Sequence, residues 1–357
     1  MFGDVPLREH NVESAEEEDD SNKTRIFILG DSTVKYYGDD NTIGGWGEYL
    51  VNYFNADSVK FINKAEGGRS TRSFINQGRL AEAMSEVRKG DYVFIQFGTN
   101  DQRTDTNAFM EHSVALGTPD ANGIYPTVPG VKSKTPDSIY NFYKDTDYPY
   151  AETFYSYNTG TFKWYLDQYI TAVRQAGGIP VLLTPACRIF FDSNGKITSH
   201  FGENDGYVTA VRQVAEEQKV ELIDMFNITK DLYESYGVFT TQGLHNIKED
   251  GTVDLTHYNK FGANLIAGKM ADTIKNLNLS GVSENVIVSN KEVAKTDSLK
   301  SANLVIVGGK GAAGDNEGDY RVDAAGFGNY ISNYLSDKIT VKNLAQTDAT
   351  AKSFSRS

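Results

Sequence analysis

Four short stretches of this chain hold residue types suited to acyl transfer onto a serine hydroxyl. Gly30-Asp31-Ser32-Thr33 closes the apolar run Arg25-Ile26-Phe27-Ile28-Leu29 and presents a hydroxyl. Such a hydroxyl is a poor nucleophile until a base takes its proton. Asp254-Leu255-Thr256-His257 offers that base, because an Asp and a His three apart in one turn can hydrogen-bond and fix the ring's tautomer. Gly67-Gly68-Arg69-Ser70 offers a backbone N–H that can approach a reacting carbonyl closely. Gly98-Thr99-Asn100-Asp101 offers a side-chain amide, a known type of oxyanion donor. Each stretch also has an ordinary reading as a strand-to-helix turn or a helix cap. His10, His112, His200 and His245 have no carboxylate three residues before them, as His257 has, and His245 lies nearest the same edge.

The elements around these stretches decide whether they can meet. Apolar segments at 25–30, 59–63, 91–97, 178–184 and 220–224 read as strands, and the third is nearly continuous in apolar character, as a buried parallel strand is. Helical patterns cover about 48–54, 71–87, 162–176, 205–218, 227–236 and 258–277. Strands alternating with helices imply right-handed crossovers and a parallel sheet covered on both faces. Three of the four stretches then follow a strand's carboxyl end, where open α/β sheets hold their chemistry, and the fourth precedes the last helix. Residues 102–160 interrupt the pattern with a long insert rich in Thr, Asp, Pro and Tyr.

Composition narrows the partners. The 357 residues carry a formal charge of -13 at pH 7, which repels nucleic acid and anionic membranes. No apolar run approaches the roughly 18 residues of a membrane span. A single cysteine, Cys187, excludes an internal disulfide and is expected to pack as a small apolar residue near a strand end. Residues 1–23, with the run Glu16-Glu17-Glu18-Asp19-Asp20, are expected to be a disordered acidic leader and not a signal peptide.

Downstream of a linker at 280–302, the sequence repeats itself. Leu304-Val305-Ile306-Val307-Gly308 resembles 26–30, Ala325-Gly326-Phe327-Gly328-Asn329-Tyr330 resembles 44–49, and Asn343-Leu344-Ala345 resembles 63–65. Gly309-Lys310 stands where Asp31-Ser32 stood, so the second copy has lost its chemistry. The expectation is a partial, degenerate repeat over 303–357 behind a catalytic domain at 24–279.

The ordered set Gly30-Asp31-Ser32, Gly68, Gly98-x-Asn100-Asp101 and Asp254-x-x-His257 resembles the GDSL/SGNH hydrolase superfamily. Gly45-Trp46-Gly47-Glu48-Tyr49-Leu50, Gly68-Arg69-Ser70-x-Arg72-Ser73 and Asp254-Leu255-Thr256-His257 are similar to rhamnogalacturonan acetylesterases. The resemblance covers about 25–277. It departs at Thr99, where many relatives carry His, and in the long insert. It implies a three-layer α/β/α sandwich with a five-stranded parallel sheet, the flavodoxin-like SGNH hydrolase fold. It also implies a carbohydrate deacetylase that needs no metal or cofactor. In that reading Ser32 is the nucleophile, His257 the base and then acid, and Asp254 its orienter. The oxyanion rests against Ser32, Gly68 and Asn100.

The implied partner is an acetylated polysaccharide or oligosaccharide, which makes a secreted or cell-surface location the expectation. Asp31, Thr99, Arg69 and Arg103 are candidate substrate contacts. Arg69, Arg72 and Arg103 could meet uronate carboxylates, or Arg69 and Arg72 could serve the following helix as ion-pair partners. The insert's Tyr125, Tyr140, Phe142, Tyr143, Tyr148, Tyr150, Phe154, Tyr155 and Tyr157 offer flat faces to sugar rings, or simply pack the loop. Two alternatives stay open: an acetylesterase acting on xylan, small acetylated sugars or lipid-like esters, and a glycan-binding module with vestigial catalysis.

Overall fold

A computed structural model describes residues 22–103, 112–129, 131–132, 158–198, 205–287, 302–306 and 339–343. Its centre is a five-stranded parallel sheet. The strands are β1 (Thr24–Gly30), β2 (Val59–Asn63), β3 (Tyr92–Gln96), β4 (Ile179–Leu183) and β5 (Glu221–Ile223). Their spatial order is β2-β1-β3-β4-β5, so the order reverses direction beside β1. That switch point opens a crevice at the carboxyl ends of β1 and β3.

Alternation along the strands builds two buried faces. Phe27, Leu29, Val93, Ile95 and Leu182 point into one core. They meet α4 (Phe162–Gln175) through Leu166, Tyr169, Ile170 and Val173, and α5 (Gly206–Gln218) through Val211 and Val214. Phe74 of α2 (Thr71–Asn76) and Ala83 of α3 (Arg79–Glu86) complete that layer. Ile26, Ile28, Phe94 and Val181 are equally buried on the opposite face. There α7 (Lys260–Ile274) buries Ile266, Ala267 and Met270 and packs against α1 (Trp46–Tyr49). The result is the three-layer α/β/α arrangement with helices on both faces of the sheet.

Several expected elements differ in detail. The helix expected at 48–54 begins at Trp46 and tightens into a 3-10 turn over Leu50–Tyr53. The helix expected through 71–87 is split, because Gly78 takes φ +74 and caps α3. The segment carrying Asp254 and His257 is an irregular strand, β7 (Val253–Asn259), not a turn before a helix. It pairs antiparallel with β6 (His245–Ile247), and its register shifts between Val253 and Tyr258. Between β5 and β6 runs α6 (Met225–Gln242), broken at Gly237.

By compactness the chain falls into two units. Val12–Glu234 with Leu244–Val288 contains the sheet described above. In the other unit, β8 (Ala302–Ile306) and β9 (Ile339–Asn343) pair in parallel. Ile306 stands opposite Asn343, as Ile28 stands opposite Asn63 between β1 and β2. The sequence correspondence equates those same positions, which supports reading 303–357 as a partial repeat. The rest of that segment and most of the acidic leader and the linker lie outside the described residues, so the repeat remains a proposal.

Candidate active site

The β1 strand stops at Gly30 because the chain must turn there. A Cβ on Gly30 would meet Val34 at 2.8 Å and the Gln96 carbonyl at 3.0 Å. The next residue, Asp31, turns inward and is 1% exposed. Its Oδ1 accepts from the Thr33 N–H at 2.9 Å and the Thr33 hydroxyl at 2.8 Å. Burial raises the Asp31 pKa, against those two donors and the Thr99 hydroxyl, which favour the charged form. These contacts brace the turn that carries Ser32. Asp31 and Thr99, both expected to touch substrate, are buried in the loop framework, as Ser32 and Asn100 are. A Tyr37 hydroxyl on the Ser32 carbonyl, 2.9 Å away, holds the same turn from outside.

Ser32 Oγ lies 2.9 Å from His257 Nε2, although 225 residues separate them in sequence. His257 Nδ1 lies 2.9 Å from Asp254 Oδ2. A carboxylate only accepts, so Nδ1 carries the proton and Nε2 is left to accept from the serine hydroxyl. Asp254 Oδ1 accepts from the backbone N–H of Thr256 at 2.8 Å and of His257 at 3.0 Å. Partial burial opposes ionisation of Asp254. The His257 ring and the two backbone donors outweigh it, and the carboxyl is held far below the usual range.

Behind this pair stands His245, which is 1% exposed. Its Nδ1 is 2.9 Å from the Asp254 carbonyl oxygen, and its Nε2 is 3.2 Å from the Tyr233 hydroxyl. The carbonyl requires a proton on Nδ1, so the Tyr233 O–H donates to Nε2. Burial pushes the His245 pKa down to about 4 and keeps the ring neutral. Spacing to a carboxylate side chain passed over this residue, because its partner is a backbone atom.

The two other loops meet the first at the crevice. Gly68 takes φ +75, a conformation natural to glycine, and no atom lies within 4 Å of where a Cβ would stand. Asn100 Nδ2 donates to the Arg69 carbonyl at 3.0 Å, which fixes the amide beside the Gly68 loop. Asp101 joins the same two loops: its carboxylate accepts from the N–H and hydroxyl of Thr71 and from the N–H of Gly98. Burial pushes its pKa up to about 7 against those donors. Glu66 links the second loop to the first by accepting from Lys35 Nζ at 2.7 Å and from the Gly67 N–H at 2.9 Å. Behind them Trp46 Nε1 donates to Gln96 Oε1 at 2.7 Å, and Gln96 Nε2 donates to the Thr184 carbonyl at 2.8 Å.

The candidate arginines separate. Arg69 donates to the Gly67 carbonyl at 2.7 Å and to Gln77 Oε1 at 2.9 Å, so it braces its own loop. Arg72 is 2% exposed, which corrects the expectation that it could reach a uronate. Arg103 follows Asn100 at the crevice, its N–H donating to the Asn100 carbonyl at 3.1 Å. Among the insert's aromatic residues, Tyr125 packs along α5 with its N–H on Gln213 Oε1, and the other eight lie outside the described residues. Cys187 is buried, with its thiol pushed up to about 12 by burial, and has the structural character expected of it.

The sheet order and the Ser-His-Asp contact at its carboxyl edge define a carboxylic ester hydrolase of the SGNH fold. The chain belongs to the GDSL-like lipase/acylhydrolase family, whose model matches residues 28–265. It is 31% identical over 267 residues to the probable rhamnogalacturonan acetylesterase YesY of Bacillus subtilis (strain 168), covering 73% of this chain and 97% of that protein. It is 30% identical over 264 residues to rhamnogalacturonan acetylesterase RhgT of the same strain, covering 71% and 91%. The crystal structure of Bacillus subtilis YxiM superposes with a TM-score of 0.51 at 26% identity, covering 72% of this chain and 58% of that one.

Proposed function

We propose that this protein removes O-acetyl groups from a plant cell-wall polysaccharide, with acetylated rhamnogalacturonan as its substrate, and that it works outside the cell. The observation that carries the reading is the unbroken contact from Ser32 Oγ through His257 to Asp254, at 2.9 Å on each side of the ring. The substrate comes from the relatives YesY and RhgT, which share 31% and 30% of their aligned residues with this chain.

In this mechanism His257 Nε2 takes the Ser32 proton as Oγ attacks the acetyl carbonyl carbon. Asp254 stays ionised and stabilises the imidazolium. The carbonyl oxygen becomes an oxyanion, held by the backbone N–H groups of Ser32 and Gly68 and by Asn100 Nδ2. His257 then gives its proton to the departing sugar hydroxyl, leaving an acetyl ester on Ser32. A water, deprotonated by His257, attacks that ester and releases acetate and free Ser32.

Acetate release from acetylated rhamnogalacturonan and from acetylated xylan, by wild type and Ser32→Ala in parallel, tests the reading. We expect faster release from rhamnogalacturonan, abolished by the substitution. Faster release from xylan would replace the substrate, and release that survives Ser32→Ala would replace the mechanism.

A further inference from the structure

We infer that Asp101 is a positioning residue of the oxyanion site: its carboxylate clamps the loop of Gly68 to the loop of Asn100 and so fixes the spacing of those two donors. The inference rests on the oxyanion assignment above and adds to it the residue that keeps the site assembled.

The sheet does not join these two loops. Gly68 follows β2 and Asn100 follows β3, and β1 runs between those strands. The loops must therefore be joined above the sheet's edge. Asn100 makes one joint, its Nδ2 donating to the Arg69 carbonyl at 3.0 Å. One contact leaves the amide free to pivot about it. Asp101 supplies three more. One of its carboxylate oxygens accepts from the Thr71 N–H at 3.0 Å and from the Thr71 hydroxyl. The other accepts from the Gly98 N–H at 3.0 Å, at the start of its own loop. All three partners donate, which suits a carboxylate and not a carboxamide.

Both ends of the clamp are anchored. The Asp101 carbonyl accepts from the Val114 N–H at 2.8 Å. The Thr71 carbonyl accepts from the Tyr169 hydroxyl at 2.9 Å, and Tyr169 is fully buried on α4. Asp101 is itself 0% exposed, so bulk water does not stand in for a lost donor. Oxyanion donors act by being fixed in advance where charge will develop. A displacement of ~1 Å in such a site costs on the order of 10²-fold in rate. Asp101 thus acts on the reaction through Asn100 and Gly68.

The test uses steady-state hydrolysis of an aryl acetate by wild type, Asp101→Asn, Thr71→Val, Thr71→Ser, Asn100→Ala and the double variant of Asp101→Asn with Asn100→Ala. Thermal unfolding checks the fold of each. Whichever way the amide of Asp101→Asn turns, its NH2 faces a donor, so one joint opens. This variant is expected to lower kcat ~10–10²-fold with KM little changed. Thr71→Val removes the hydroxyl and is expected to lower kcat less, and Thr71→Ser to restore it. In the Asn100→Ala background, Asp101→Asn is expected to cost much less than in wild type, because one donor it positions is already gone. An equal fold-loss in both backgrounds would overturn the clamp, as would a fall in Tm with kcat intact. Should Asp101→Asn fail to fold, the Thr71 pair decides: equal kcat in Thr71→Val and Thr71→Ser would overturn it. Each of these outcomes leaves the oxyanion assignment standing, whereas unchanged turnover in Asn100→Ala alone would overturn both.

Discussion

His245 Nδ1 donates to the backbone carbonyl of Asp254 across 2.9 Å, so a second, neutral histidine holds the segment that carries the first. The Asp254 carboxylate is thus fixed from two sides, by the His257 ring at its side chain and by His245 at its backbone. In Asn, the side-chain nitrogen occupies the place of Nδ1, whereas Gln reaches the place of Nε2. His245→Asn is therefore expected to keep most of kcat and His245→Gln to lose it, with KM little changed in both. Equal losses in the two variants would show that only the ring's bulk matters.

The same residue predicts how stability depends on pH. Its folded pKa, about 4, lies below the ordinary value of 6.5. Between those values the unfolded chain binds a proton that the folded chain does not. Stability from this group is therefore complete above pH 6.5 and is lost as pH falls toward 4. The full effect is about 3 kcal/mol. Denaturant unfolding at pH 7, 5.5 and 4 is expected to show a steeper acid loss in wild type than in His245→Asn. Parallel slopes would remove His245 as the cause.

Asn100 is oriented by the Arg69 carbonyl, and its amide has a second N–H for the oxyanion. Asn100→Ala is expected to lower kcat by ~10²–10³ while the fold persists. Asp254→Asn is expected to cost up to ~10⁴ by freeing the wrong tautomer of His257. Steady-state rates on an aryl acetate, with circular dichroism as the folding control, check both. Unchanged turnover in Asn100→Ala would exclude it from the oxyanion site.

Glu66 joins the serine loop to the Gly68 loop through Lys35 and the Gly67 N–H. Both charged groups are partly exposed, so their pairing adds little to stability, of the order of ~0–1 kcal/mol. Its effect is on geometry. Glu66→Ala is expected to lower kcat several-fold with a small change in Tm. A large fall in Tm with kcat intact would make Glu66 a stability residue only.

The sheet and the groups that meet at its edge were legible in the chain because each leaves a local trace. Buried strands such as Tyr92–Gln96 are written as apolar runs, and Ser32, Asn100 and His257 follow strand ends or precede a helix at fixed spacing. What bound these groups together was less visible. The roles of His245 and of Trp46 depend on a carbonyl and on Gln96 far away in sequence, which spacing does not report. The bracing role of Asp31 was equally hidden, since its side chain turns inward to accept from Thr33 in the tight turn.

The central claim is that Ser32 carries the acyl group. A fluorophosphonate, which reacts with activated serines, tests it directly when the labelled protein is digested and its peptides weighed. The account predicts one adduct on the peptide containing Ser32, absent in Ser32→Ala and greatly slowed in His257→Ala, with aryl acetate hydrolysis lost in step. An adduct on another serine, or hydrolysis that continues after Ser32 is fully labelled, would contradict it.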